Sequence, residues 1–362
     1  MSPGTRPRLA LMMGDPTGIG PEICVRAVAG PAVRAACRPV VVGDARVMAR
    51  ALGLLRAPLA LTSVPGVAQC GFEADRLEVL DVPNADPDAI PLGRVDARAG
   101  RATLETLEVA VDVARVGEVD GVVYAPLNKQ AMHEAGSPHE DELHLVAAWC
   151  QAPPGSFGEI NVVPVGGRRA DDAASRVPDA DEKMVDLWCG RVTSHIALGR
   201  VAASLTLPGI LGAIRLLHRV LRQAGFTGPR IGVAALNPHG GEGGMFGPEE
   251  DAVIRPAVAA ARREGIEARG PFPADTIFVR ARRGELDGIV SMYHDQGQIA
   301  LKLLGFERGV TVGGGLPIVL ATPAHGTAHD IAGRGVADPG AFIRAVEVAS
   351  RLACGRAGAG AP

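Results

Sequence analysis

Short runs of three to five mostly apolar residues alternate along this chain with longer stretches whose apolar positions recur at helical spacing. The runs predict strands at Leu9–Met13, Pro39–Val42, Gly121–Tyr124, Arg191–Thr193, Ile231–Ala235, Gly288–Met292 and Gly309–Val312. Most are apolar without alternation, the pattern of a sheet covered on both faces. Between them, Arg98–Val116, Leu207–Ala224 and Glu249–Glu264 predict amphipathic helices, and a last helix, Pro339–Leu352, runs into a Gly/Ala tail expected to fray. Strands separated by helix-length segments predict parallel βαβ units and an α/β fold. One stretch breaks the rhythm. Gln151–Glu182 combines Pro153-Pro154-Gly155, Gly166-Gly167-Arg168-Arg169 and a charged run, and is expected to be a long surface loop or a lid.

Composition narrows the partners. A net charge of -3 supplies no basic field for nucleic acid, and an aromatic content of 3% leaves few platforms on which single-stranded bases can stack. The six cysteines contain no C-x-x-C pair, as expected of reduced intracellular thiols. The Leu9–Met13 run is too short for a signal peptide or a membrane span. A soluble cytoplasmic protein acting on a small molecule is the expectation.

The chemistry-bearing residues stand where strands end. Three histidines do so in separate segments: Thr193-Ser194-His195, Asn237-Pro238-His239-Gly240-Gly241-Glu242-Gly243-Gly244 and Tyr293-His294-Asp295-Gln296. Three imidazoles converging from separate loops make a three-coordinate metal site with open positions, an arrangement suited to catalysis. Asp295 can orient a neighbouring imidazole, although a His-Asp pair at a strand end can also be an ordinary turn. Four glycines in Asn237–Gly244 give up regular structure and let a ligand approach the backbone, which makes Glu242 and Gly243 candidate cofactor contacts. Glu242 is also the one general base available to a hydrolase built on the same histidines.

Gly14-Asp15-Pro16-Thr17-Gly18-Ile19-Gly20-Pro21-Glu22 follows the first strand and opens a helix whose amides attract anions, without the spacing of a Rossmann fingerprint. Lys129, in Ala125-Pro126-Leu127-Asn128-Lys129, reads equally as a tuned acid, an anion anchor or a solvated first-turn lysine. His325-Gly326-Thr327-Ala328-His329-Asp330 fits a loop cradling an adenosine or an ordinary capped turn.

Together, Gly14–Glu22, Asn237–Gly244, Gly270-Pro271-Phe272-Pro273-Ala274-Asp275-Thr276, Tyr293–Gln296 and His325–Gly335 resemble, in order, the signature blocks of the PdxA family. That family's namesake activity is the dehydrogenation of 4-hydroxythreonine 4-phosphate in pyridoxal phosphate biosynthesis. Gly18–Glu22 and His325–Ala328 also resemble, more distantly, the isocitrate and isopropylmalate dehydrogenases.

The resemblance implies two α/β/α domains around a cleft, residues 1–125 plus 300–362 forming the first and 126–299 the second, and a homodimer that shares its active sites. It implies NAD or NADP, a divalent metal (zinc, cobalt, magnesium or manganese), and oxidation of a secondary alcohol beside a carboxylate-bearing carbon, followed by decarboxylation. His195, His239 and His294 match the metal ligands, one of the three coming from the partner subunit. Lys129, Asp275 and Asp295 match catalytic or supporting positions. Asn128, Lys302 and Thr311 match substrate-binding positions, and His325, Gly326, Thr327 and Asp330 match the adenosine loop.

Departures from the pattern fall at substrate positions. A Gly-His-Thr-Glu block becomes Asp141-Glu142-Leu143-His144, a phosphate-clamping arginine becomes Leu320, and an asparagine becomes Thr311. Lysine cannot reproduce the guanidinium fork, so affinity for a phosphate is expected to fall. The branch of the family that oxidises dihydrodiol carboxylates in aromatic catabolism also lacks that arginine, and a non-phosphorylated substrate is the alternative. A non-catalytic metal- or nucleotide-binding relative is a further possibility, opposed by the retained histidines and Lys129.

Overall fold

The computed structural model describes residues 6–139, 141–166 and 184–358. In chain order, the first segment contains β1 (Arg8–Met12), α1 (Gly20–Ala29), α2 (Pro31–Ala36), β2 (Arg38–Gly43), α3 (Ala45–Leu55), β3 (Ala60–Val64), β4 (Arg76–Asp81), α4 (Ala97–Arg115), β5 (Gly121–Tyr124), α5 (Lys129–Glu134) and α6 (Glu142–Trp149). The middle segment contains β6 (Gly158–Gly166), β7 (Met184–Arg191), α7 (Val201–Ser204), α8 (Leu207–Gln223), β8 (Ile231–Ala234), α9 (Arg255–Arg263), β9 (Ala268–Phe272), α10 (Ala274–Arg282), β10 (Gly288–Ser291) and α11 (His294–Gly305). The last holds β11 (Val310–Gly314), β12 (Leu320–Pro323) and α12 (Gly340–Gly358).

Two compact units result. Residues Met1–Pro153 and Val310–Pro362 make the first, and Pro154–Gly309 the second. Residues 126–153, expected to belong with the histidines, instead pack into the first unit. The reason lies in α4, which approaches α5 so closely that a Cβ on Gly100 would stand 1.9 Å from the Ala131 carbonyl oxygen.

In the first unit the strand order is β3-β4-β2-β1-β5-β12-β11, parallel except for the β11/β12 pair. Leu9, Ala10, Leu11 and Met12 of β1 are fully buried, as the non-alternating run predicts for a strand covered on both faces. Leu320 of β12 lies in this interior beside Gly313, so position 320 contributes packing and no polar contact. In the second unit the order is β6-β7-β10-β8-β9, with β6 and β7 antiparallel and the rest parallel.

Several expectations need correction. Residues 158–166, expected in a loop, form β6, paired from Asn161↔Cys189 to Gly166↔Met184, while residues 167–182 lie outside those described. The strand expected at Arg191–Thr193 ends at Arg191. The helix expected over Glu249–Glu264 is a π turn, Glu250–Ile254, followed by α9. Pro256 has no amide to donate four residues back, and its ring crowds that carbonyl, so the first turn widens. The last helix continues through Gly358, beyond the point where fraying was expected. No single helix among the described residues is long and apolar enough to cross a membrane.

Candidate active site

Parallel pairing of β7 with β10 sets Arg191 opposite Ser291, so the chain leaves both strands side by side. The ladder then continues past the strand ends. Val192 N–H donates to the Ser291 carbonyl (2.9 Å), and Thr193 donates to the Met292 carbonyl through its amide (3.2 Å) and its hydroxyl (2.8 Å). This zipper brings the next histidine of each loop together: the His195 and His294 rings lie 5.4 Å apart between centroids, tilted by 48°. The two rings form one wall of an open pocket of about 380 Å³, together with Thr193, Ser194, Leu198, Tyr293 and Asp295.

Each ring is held by its backbone or a neighbour. His195 sits at φ +49°, a left-handed conformation that costs a side-chain-bearing residue about 1 kcal/mol and that accumulates at functional sites. His294 Nδ1 lies 2.7 Å from Asp295 Oδ1, which leaves Nε2 directed elsewhere, the arrangement of a carboxylate-oriented metal ligand. Gln296 ties the loop down, accepting from Met292 N–H and donating to the Ala235 carbonyl, both at 2.7 Å.

His239 is not part of this pair. The loop after β8 keeps a positive φ over six residues, from His239 (φ 54°) to Gly244 (φ 95°), and this carries the ring against Phe246, 6.2 Å between centroids. Buried Glu250 anchors the loop. Its Oε1 accepts the Leu236 and Asn237 amides at 2.8 Å, and its Oε2 accepts Asn237 Nδ2 at 2.9 Å. A Cβ on Gly241 would collide with Oε2 at 2.6 Å, so this glycine is a requirement of the anchor. Among the described residues no group of three His, Cys, Asp or Glu could hold a metal, and the expected three-histidine set is assembled only as a pair within the chain. Two imidazoles with an oriented ring and an open face suit a borderline metal such as zinc or cobalt, with further ligands to be supplied from outside the pair.

The anchor carries a stability prediction. Glu250→Ala leaves the Leu236 and Asn237 amides without their acceptor and the Asn237 side chain with Glu249 alone, at a cost of about 3 kcal/mol. Chemical denaturation followed on the second unit is expected to show that loss, and an unchanged midpoint would contradict the anchor.

The remaining expected residues are dispersed. Asp275 lies exposed on the first turn of α10, outside the pocket lining, and Lys302 is exposed on α11. Glu242 and Gly243 are exposed in the left-handed turn, and Thr311 pairs with Thr322 across β11 and β12.

In the first unit, Asn128 caps α5 by accepting the Ala131 amide (2.9 Å), which makes Lys129 the first helical residue. The ammonium of Lys129 stands 3.3 Å from Glu142 Oε2, and the buried Tyr124 hydroxyl donates to Glu142 Oε1 at 3.1 Å. Asp141 caps α6, accepting the His144 amide (2.8 Å) and meeting its Nδ1 at 2.7 Å. Burial pushes the Asp141 carboxyl up, but the His144 hydrogen bonds and the His144 and Lys129 charges together hold it below its ordinary range.

His325, Gly326, Thr327 and Asp330 follow β12. Ile19 N–H donates to the Thr327 carbonyl (3.0 Å), and Gly333 N–H donates to Glu22 Oε1 (2.6 Å), which stitches this loop to the first glycine segment. His329 Nε2 meets Asp15 Oδ2 at 3.3 Å and the Thr17 hydroxyl at 3.2 Å. Sequence reasoning missed this Asp15–His329 pair and the Tyr124–Glu142–Lys129 chain. Only their position inside already suspicious segments pointed to them.

Comparison with known proteins sets these residues in a family context. The sequence profile described as "Pyridoxal phosphate biosynthetic protein PdxA" matches residues 35–349. A Pseudomonas aeruginosa protein provisionally named a 4-hydroxythreonine-4-phosphate dehydrogenase is 43% identical, over 97% of this chain and 98% of its own. A D-threonate 4-phosphate dehydrogenase of Cupriavidus necator is 37% identical, over 97% of this chain and 98% of its own. The crystal structure of a 4-hydroxythreonine-4-phosphate dehydrogenase from Klebsiella pneumoniae superposes with a TM-score of 0.80 at 36% identity, covering 96% of this chain and 99% of that one.

Proposed function

The chain belongs to the PdxA family, and we propose that it is a divalent-metal- and NAD(P)-dependent dehydrogenase that oxidises a secondary alcohol of a hydroxy acid and releases carbon dioxide. One observation carries the reading. His195 and His294 face one open pocket, and Asp295 fixes the second ring with Nε2 unengaged by that carboxylate. The partner subunit's His239 completes the set in a homodimer, which reconciles three family positions with a pair inside one chain.

A divalent ion held there supplies positive charge that favours loss of the alcohol proton and then of carbon dioxide. The hydride of the alcohol carbon would pass to a nicotinamide bound beside the pocket, while the alcohol oxygen would lose its proton to solvent, leaving a ketone. The bond to the carboxylate then breaks, carbon dioxide departs, and the electron pair left behind is protonated. Lys129 Nζ is the group assigned to hold or deliver that proton. The loop His325–Asp330, fixed to the first glycine segment, takes the adenosine end of the cofactor.

Reduction of NAD or NADP tests the reading. With zinc, cobalt or manganese present, the panel comprises 4-hydroxythreonine 4-phosphate, D-threonate 4-phosphate, their unphosphorylated counterparts and a dihydrodiol carboxylate. Metal-dependent reduction with at least one hydroxy acid is expected. No reduction with any of them, under any of the metals, would contradict it.

A further inference from the structure

We propose that Glu142 determines specificity at the Lys129 end of the substrate, so that the group presented there is a neutral hydroxyl rather than a phosphate. The proposal rests on the assignment of Lys129 to the active site made above.

The geometry is specific. Glu142 is mostly buried, its side chain 13% exposed, and Tyr124 fixes its Oε1. Its Oε2 is shielded from solvent and has no hydrogen-bond partner among the described residues; the Lys129 ammonium at 3.3 Å makes an ionic contact there without hydrogen-bond geometry. A buried acceptor without a donor is costly, and a hydroxyl O–H arriving beside Lys129 would satisfy it.

The charge balance points the same way. A lysine alone attracts a phosphate dianion. Here the ammonium already neighbours the Glu142 carboxylate, and the Asp141 carboxyl also feels its charge. A dianion docked on Lys129, whose side chain is half-exposed, would therefore approach the fixed, mostly buried Glu142 carboxylate within one side chain's reach. A hydroxyl meets no such repulsion: it donates to Oε2 and accepts from Nζ.

Glu142→Gln in the full-length protein tests this, because the amide oxygen still accepts from Tyr124 while the charge is gone. For D-threonate 4-phosphate relative to D-threonate, the ratio of kcat/KM values is expected to rise by about tenfold or more, chiefly through the KM of the phosphorylated compound. Calorimetric titration with inorganic phosphate should show tighter binding in the variant, and Lys129→Met added to it should abolish the gain. Tyr124→Phe keeps the charge and is expected to leave the ratio within a few-fold of wild type, which separates charge from mere disturbance. An unchanged ratio and unchanged phosphate binding in Glu142→Gln would overturn the proposal. If wild type oxidises neither compound, the dehydrogenase reading fails on those substrates, and the phosphate titration still decides the role of Glu142.

Discussion

Replacing His195 by alanine is expected to lower metal-dependent kcat/KM by about a thousandfold or more, while the protein stays folded. Metal-assisted stabilisation of developing charge is worth several kcal/mol, and each 1.36 kcal/mol is about tenfold in rate. Removing one of two imidazoles that face the same pocket leaves His294 alone, too few donors to retain a metal at low concentration. The fold has little stake in the ring. His195 is exposed, and the loop that carries it is held by Thr193 and Val192 through bonds that the substitution does not touch. Alanine at φ +49° bears much the same backbone strain as histidine, so stability is expected to change by no more than about 0.5 kcal/mol. Initial rates at varied metal, with a thermal melt as control, check both halves. Wild-type turnover would remove His195 from the site, and an unfolded variant would assign it a structural role.

Gly100→Ala is the second large effect, and its sign separates two physical arguments. Helix propensity alone predicts stabilisation by about 1 kcal/mol, because glycine is a poor helix former and Gly100 lies inside α4, one turn from its start. Contact geometry predicts the reverse. The added methyl would stand 1.9 Å from the Ala131 carbonyl oxygen and 2.2 Å from its carbon, and both belong to backbone that no rotamer change can move aside. The helices α4 and α5 must separate, and overpacking of this kind costs about 1–3 kcal/mol or more. Sterics should win, with a net loss of about 2 kcal/mol and a melting temperature lowered by about 4–8 °C. The consequence reaches function, since α5 begins at Lys129: its ammonium moves relative to Glu142 when the helix shifts. A variant more stable than wild type would show that the close approach is relaxed in solution.

The parts of this protein legible in its sequence are those with strong local signals. Fully buried parallel strands such as β1 and β5 are uninterrupted apolar runs, and the helices α4 and α8 have clear periodicity and side-chain caps at Asp96 and Thr206. The missed strands lack that signal for identifiable reasons. β3 is an edge strand with only Val64 buried, and β9 carries Gly270 and Pro271, which an edge tolerates and a central strand does not. β12 has only two apolar residues before Thr322 and ends on Pro323, and β6 sits beside a charged stretch that obscures it.

The site was legible by residue type and only partly by arrangement. His195 and His294 meet because β7 and β10 are neighbours, and Asp295 orients the ring next to it in sequence. His239 reads as part of the same cluster because its loop, like the other two, follows an apolar run that predicts a strand. Sequence could not reveal that six consecutive residues with positive φ would carry it to Phe246. Glu142 was seen as the loss of a family contact, while the charge it sets against Lys129 depends on α5 and α6 meeting at Tyr124.

The central claim is that the His195–His294 pocket performs oxidation with a metal and a nicotinamide. The most direct test follows NAD(P)H formation from a hydroxy acid by wild-type protein stripped with a chelator, and then titrated with zinc, cobalt or manganese. The account predicts turnover that vanishes on stripping, returns with the added ion and does not return in His195→Ala. Turnover that persists in the stripped protein, or that returns equally in His195→Ala, would contradict it.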